Sequence, residues 1–267
     1  MFRTIVDFGS VGIRSYGVML AIAFWLGIEL SARIARKRGF DPLIIVDLGL
    51  VILLSSVAGS RFLYVISHLS DFSGDPWGVF KVWEGGLTFY GGLIAAVVTG
   101  VLYIKRRRLP ASEITDILAP QIALGIAIAR VGCFLNGCCF GKESSLPWAC
   151  AFPPDSLAGS VMHGLRLHPV QIYAVIANLI IAIALWRLLK RKLPAGTVFS
   201  CLLVFYGAWR FIVDFWRYYE DEMLLGSGGV SVSVNQVVSI VLIIVGIGLL
   251  LRSRKHGGTQ SETGVQA

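Results

Sequence analysis

The sequence predicts an all-α, polytopic membrane protein with about seven transmembrane helices, its N-terminus outside and its C-terminus in the cytoplasm. The first observation behind this is composition. Of 267 residues, 55% are hydrophobic and only 15% charged, where a soluble domain carries roughly 25% charged residues. The second is a mean hydropathy of +0.73, concentrated in runs of about 20 apolar residues, the length a helix needs to cross the hydrocarbon core. The third is the placement of basic residues, which gather after alternate runs.

The segment before the first run, MFRTIVDFGSVGIRSYG, has one early arginine and is interrupted by Asp7. It lacks the long apolar stretch of a signal peptide and is expected to lie as an arm along the membrane surface. The spans are predicted over about residues 16–34, 43–66, 87–104, 114–135, 170–189, 198–215 and 232–251. Arg33, Arg36, Lys37 and Arg38 follow the first, and Lys105, Arg106, Arg107 and Arg108 the third. Arg187, Lys190, Arg191 and Lys192 follow the fifth, and Arg252, Arg254 and Lys255 the seventh. The intervening loops carry Asp71, Asp75, Glu84, Glu143, Asp155, Glu220, Asp221 and Glu222. Cytoplasmic loops hold the excess of lysine and arginine, which gives the orientation. Residues 1–256 are thus expected to form one integral membrane domain, with a polar exoplasmic segment at about 136–168 and a disordered cytoplasmic tail at 257–267. The net charge of +8 resides in these anchors. That leaves no soluble basic surface for phosphate contacts and excludes a nucleic-acid partner.

Ionisable groups at membrane depth are expensive and usually face the protein interior or a wet cavity. Arg61, Asp116, Arg130, Arg210 and Asp214 fall inside the predicted spans. In FYGAWRFIVDFWR, the residues Tyr206, Arg210, Asp214 and Arg217 stand at i, i+4, i+8 and i+11, so they share one face of a continuous helix. Two readings stay open: a salt bridge of Asp214 with Arg210 or Arg217 that holds the bundle together, or an anion site whose guanidinium matches phosphate oxygens.

WEGGLTFYGGLIA brings Tyr90 between two glycine pairs; Gly91 and Gly92 allow close approach of a helix or a ligand. LHPVQIYA opens the fifth span with Pro169 in the first turn and His168 and Gln171 at the entrance. The histidine serves as a cap or as an acid or base. RVGCFLNGCCFG, residues 130–141, ends the fourth span with three of the five cysteines. Their spacing matches neither the paired CxxC of zinc sites nor that of redox pairs, so no metal is expected. A disulfide from Cys138 or Cys139 to Cys150 stays open in an oxidising compartment, and Cys201 reads as a small apolar residue.

Taken in order, IRSYG, GSRFLYV, WEGGLTFYGGLI, RVGCFLNGCCFG, HPVQIY and YGAWRFIVDFWR resemble the motifs of the bacterial phosphatidylglycerol–prolipoprotein diacylglyceryl transferase family. The resemblance extends over nearly the whole chain. It implies transfer of the diacylglyceryl group of phosphatidylglycerol to the lipobox cysteine thiol of a preprolipoprotein signal peptide, with release of glycerol-1-phosphate. It also implies a place in the bacterial cytoplasmic (inner) membrane and no cofactor. It makes Arg130 a ligand of the headgroup phosphate and Arg210 a second essential cation. Tyr16, Asn136, Gly141, Tyr206 and Asp214 fall at matching pocket positions, as do Gly91 and Gly92. Two departures stand out. Tyr90 occupies the position of a family histidine, and Cys133 and Cys138 replace asparagine and glutamate. Tyrosine, with an ordinary pKa of about 10, is a poor proton acceptor, so the base role does not carry onto Tyr90, which stays among the catalytic positions; His168 or Asp214 substitutes, or the arginine field suffices. The rival readings are a small-solute transporter, suggested by buried charges and glycine pairs, and a membrane thiol oxidoreductase, suggested by the cysteines alone.

Overall fold

A computed structural model of the chain describes residues 4–7, 12–72, 74–219, 224–225 and 232–262. The predominant elements are eight α-helices, seven of them long and apolar enough to cross a membrane. They are α1 (Ser15–Lys37), α2 (Pro42–Ser67), α3 (Phe89–Arg106), α4 (Ala111–Asn136), the short α5 (Leu157–Met162), α6 (Val170–Leu189), α7 (Thr197–Val213) and α8 (Val234–Glu262). The spans agree with the hydropathy runs to within a few residues. Large apolar side chains along them face outward, Leu54 at 69% exposure and Ile244 at 64%. Such surface is stable against lipid and not against water. The protein is a multi-pass membrane protein.

Two short hairpins accompany the helices. β1 (Thr4–Asp7) pairs antiparallel with β2 (Gly12–Arg14), so the expected N-terminal arm is folded back on itself. β3 (Leu224–Leu225) pairs with β4 (Val232–Ser233) ahead of α8. The acidic residues 220–222 and the end of the expected tail, 263–267, lie outside the described residues.

The chain divides into two compact units, Met1–Gly27 with Thr115–Ala267, and Ile28–Ile114. In the Ile28–Ile114 unit, Asp41 caps α2 through Leu43 N (2.9 Å), with Pro42 in the first turn. The α2–α3 seam is built on small residues. A Cβ on Gly91 would stand 2.4 Å from the Gly59 carbonyl oxygen, and one on Gly92 2.3 Å from Ser60 Oγ. Ser55 and Thr99 hydrogen-bond across this seam at 2.7 Å. Arg61, 8% exposed, reaches from α2 into the segment before α3. Its guanidinium donates to the carbonyls of Val79 (2.9 Å), Gly85 (2.6 Å), Gly86 (3.0 Å) and Gly78 (2.5 Å). Its face packs on Tyr64 and Phe72. With four of its five N–H groups bonded, this buried cation holds a loop to a helix.

In the other unit, Asp116 of α4 accepts hydrogen bonds from Gly196 N and Phe199 N, both at 2.8 Å. It thereby satisfies the free amides at the start of α7. A second buried ionisable group of the sequence is thus structural. Residues 136–168, expected only as a polar segment, have a core of their own: Phe140, Phe152, Ala158 and Leu167, with Phe134 and Tyr218 packed against it. Backbone bridges Glu143–Leu167, Cys150–Leu167 and Gly141–Arg217 tie the segment together.

Candidate functional site

The Met1–Gly27 and Thr115–Ala267 unit contains a small cavity open to its surroundings. Its polar wall is Arg130 of α4, Tyr206 and Arg210 of α7, Gln171 and Asn178 of α6, Arg217 and the thiol of Cys139. Ile126, Val170, Ala174, Trp209 and Val213 supply an apolar wall. A lipid headgroup with its proximal carbons has this same division.

Arg210 is 9% exposed and pairs with Asp214 one turn on, Nη1 to Oδ1 at 2.8 Å. Its Nη2 donates to Tyr219 Oη at 2.7 Å. Asp214 also accepts from Tyr219 Oη and from Ser233 Oγ, so three donors hold it. Burial pushes the Tyr219 phenol above its ordinary value, which keeps it a neutral donor to the carboxylate. The expected single helical face is corrected here. The helix α7 ends at Val213, a 3-10 turn covers Asp214–Trp216, and Arg217 is extended. Arg217 nonetheless reaches the cavity, because its backbone bridges Gly141. A Cβ on Gly141 would meet Trp216 O at 2.8 Å and His168 O at 2.6 Å, so glycine is required where these strands converge. Gly141 N donates to His168 O at 3.2 Å. The His168 ring lies 3.3 Å through Nδ1 from Tyr173 Oη.

The cavity carries three guanidiniums against one carboxylate. Among the described residues, Arg130 and Arg217 have no carboxylate within ion-pair distance. Three buried side-chain atoms around this cavity lack a hydrogen-bond partner: Arg217 Nε, Gln171 Oε1 and Asn178 Oδ1. Buried polar atoms are normally paired, and an unpaired set converging on one cavity marks where a polar ligand belongs. Asn178 and Trp209 went unread in the sequence. The signal for Asn178 was its i+7 spacing from Gln171, which puts both on one face of α6.

The cysteines behave differently from expectation. Gly137, at φ +68°, closes α4 with two hydrogen bonds, Gly137 N to Phe134 O (3.2 Å) and Cys138 N to Cys133 O (3.1 Å). These are the paired bonds of a Schellman motif, which brings the residue after the glycine back over the one five positions earlier. Cys139 follows at φ +57°, a left-handed conformation that costs a non-glycine residue roughly 1–2 kcal/mol. The Sγ atoms of Cys133, Cys138 and Cys139 end within 4.8 Å of one another. All five cysteines are free, and Cys150 is not paired with Cys138 or Cys139. The Cys139 thiol is held well below the usual thiol range by hydrogen bonds with Cys133 and Cys138, and then by the Arg217 and Arg130 guanidiniums. Asn136 hydrogen-bonds Cys138. Tyr16 packs on Gly132 of α4, and its hydroxyl feels both the thiols and Arg130.

Of the sequence-derived candidates, Arg130, Arg210 and Tyr206 line the cavity, and Asp214, Tyr16, Asn136, Gly141 and His168 surround it. Tyr90, Gly91 and Gly92 belong to the Ile28–Ile114 unit, where the glycines are filled by the α2–α3 seam and Tyr90 is 49% exposed.

Fold and cavity together define a multi-pass helical membrane protein with a cationic pocket among its helices. Residues 3–252 match the family model of prolipoprotein diacylglyceryl transferase, and the chain belongs to that family. The phosphatidylglycerol–prolipoprotein diacylglyceryl transferase of Bordetella bronchiseptica is 34% identical, over 91% of this chain and 92% of its own length. That of Synechococcus elongatus is 32% identical, over 91% of this chain and 84% of its own. That of Geobacter sulfurreducens is 30% identical, over 93% and 95%.

Proposed function

We propose that the protein transfers the diacylglyceryl group of phosphatidylglycerol to the lipobox cysteine of a preprolipoprotein, with the arginine cavity as its headgroup site. The observation that carries this reading is the set of three guanidiniums beside unpartnered polar atoms in a cavity with an apolar wall. In the reaction, the lipobox sulfur attacks the glycerol carbon that bears the phosphate. A C–S bond forms as the C–O bond breaks, and glycerol-1-phosphate leaves with the electron pair.

Negative charge therefore grows on the phosphate, where prepositioned cations lower the barrier. Arg130 and Arg217 take the phosphate oxygens. Arg210, held in place by Asp214, supplies the third cation, and Tyr206, Gln171 and Asn178 hold the glycerol hydroxyls. Asp214 is a positioning residue, because its oxygens are already engaged by Arg210, Tyr219 and Ser233. His168 is the better candidate to receive the thiol proton, its ring held by Tyr173 through Nδ1; the tautomer protonated at Nδ1 presents Nε2 as the acceptor. Tyr16, Asn136 and Gly141 frame the pocket. Gly91 and Gly92 serve the α2–α3 seam, and Tyr90 beside them, half exposed, is given no part in the headgroup site.

The alternating basic clusters support an N-terminus outside, a cavity toward the exoplasmic side and residence in the bacterial cytoplasmic membrane. Residues 1–256 then act as one transferase domain. The test is incubation of purified protein in detergent with phosphatidylglycerol and a lipobox peptide. Thioether-linked diacylglyceryl peptide and glycerol-1-phosphate are expected in equal amounts. Their absence from a folded sample would sink the proposal.

A further inference from the structure

The thiol cluster at the end of α4 touches the cavity through Cys139, and the reaction proposed above gives its thiols no role. We infer that Cys133, Cys138 and Cys139 form a binding site for a single soft, thiophilic metal ion, copper(I) or zinc(II). Three observations carry this. The three sulfurs lie within 4.8 Å of one another. A zinc–sulfur bond of about 2.3 Å separates tetrahedral sulfurs by about 3.8 Å, so small side-chain movements close the shell. The backbone is built for the convergence, since the Gly137 turn folds Cys138 over Cys133 and the left-handed Cys139 turns its sulfur onto the pair. A disulfide would use two sulfurs and leave the third unexplained.

Charge gives the third observation. Arg130 and Arg217 face Cys139. Metal binding displaces the thiol protons; copper(I) is complete with the three sulfurs, and on zinc(II) a water completes four-coordination. Thiolate ligands select these ions over the hard cations that carboxylates hold. Cys150 and Cys201 take no part in the cluster.

The test uses the full chain, purified under anaerobic, reducing and metal-free conditions. It is titrated with copper(I) against a chromophoric competitor and separately with zinc(II), and bound metal is counted by elemental analysis. One equivalent of either ion per chain is expected, and the same in Cys150→Ala/Cys201→Ala. Cobalt(II) should give a thiolate charge-transfer band. Cys133→Ala/Cys138→Ala/Cys139→Ala should lose both ion and band. Cys138→Ser alone, at a half-buried position where folding is least affected, should weaken binding at least about tenfold. Failure of folded, reduced protein to bind either ion would overturn the inference, as would an equivalent retained in Cys133→Ala/Cys138→Ala/Cys139→Ala. A Cys133–Cys138 or Cys133–Cys139 disulfide in protein taken anaerobically from membranes would also overturn it.

Discussion

The two compact units each bury arginine, and they use it in opposite ways. Arg61 has each nitrogen of its guanidinium bonded to a backbone carbonyl, four bonds in all, and its face packed on Tyr64 and Phe72. Arg130 and Arg217 line a cavity in which Arg217 Nε, Gln171 Oε1 and Asn178 Oδ1 have no partner. Burial of a charge therefore does not mark a binding site by itself. What separates the two regions is whether the hydrogen-bonding capacity of the cation is already satisfied, because only unsatisfied donors have affinity left for a ligand.

That contrast can be broken by substitution. The largest effect is expected at the cavity. Arg130→Lys keeps the charge but cannot reproduce a two-pronged phosphate contact. It should lower turnover by about 10²–10³-fold, the usual cost of removing one prepositioned donor at developing charge, with thermal unfolding little changed. Near-normal turnover would remove Arg130 from its role.

Arg61→Met should act on stability instead. It leaves buried carbonyls unpartnered at about 1–3 kcal/mol each, so the midpoint of thermal unfolding in detergent should fall by several degrees. Arg61→Lys should rescue it poorly, since one ammonium cannot span carbonyls of Val79, Gly78 and Gly85. An unchanged midpoint in both variants would erase the distinction between the regions.

A smaller effect is expected at Asp214→Asn. The side chain keeps acceptor capacity for Tyr219 and Ser233 and loses the ion pair with Arg210. Turnover should fall about tenfold, equivalent to one charge-assisted hydrogen bond, with KM for phosphatidylglycerol raised as Arg210 drifts. If Asp214 were the proton acceptor, kcat would fall far more and its pH profile would lose its acidic limb. The smallest effect belongs to Cys133→Ser/Cys138→Ser, whose transfer rate should drop less than in any cavity arginine variant. A thiol oxidoreductase would be abolished by the same change.

The spans were legible because lipid imposes one requirement on every residue facing it, and hydropathy reads that requirement directly. Asp214 with Arg210 was legible for a similar reason, since i,i+4 spacing lies within one helix. The position of Arg217 was not. It depends on α7 ending at Val213 and on a bridge to Gly141, about 75 residues away in sequence but adjacent in space through nonlocal pairing. The cysteine cluster was missed because the spacing was compared with CxxC, whereas Gly137 makes a helix-terminating motif that joins positions five apart. Residues 136–168 looked merely polar, yet Phe140, Phe152 and Leu167 gather there into a core that no periodicity announces. The occupation of Arg61 by loop carbonyls likewise could not be read from its place in an apolar run.

The most direct measurement is the affinity of purified protein for phosphatidylglycerol, by native mass spectrometry or calorimetry, in the wild type and in Arg217→Gln. Arg217 carries the unpartnered donor, so binding should weaken at least about tenfold, the loss of one charge-assisted hydrogen bond, while the unfolding midpoint is retained. Equal affinity in the two proteins would contradict the assignment of this cavity to the lipid phosphate.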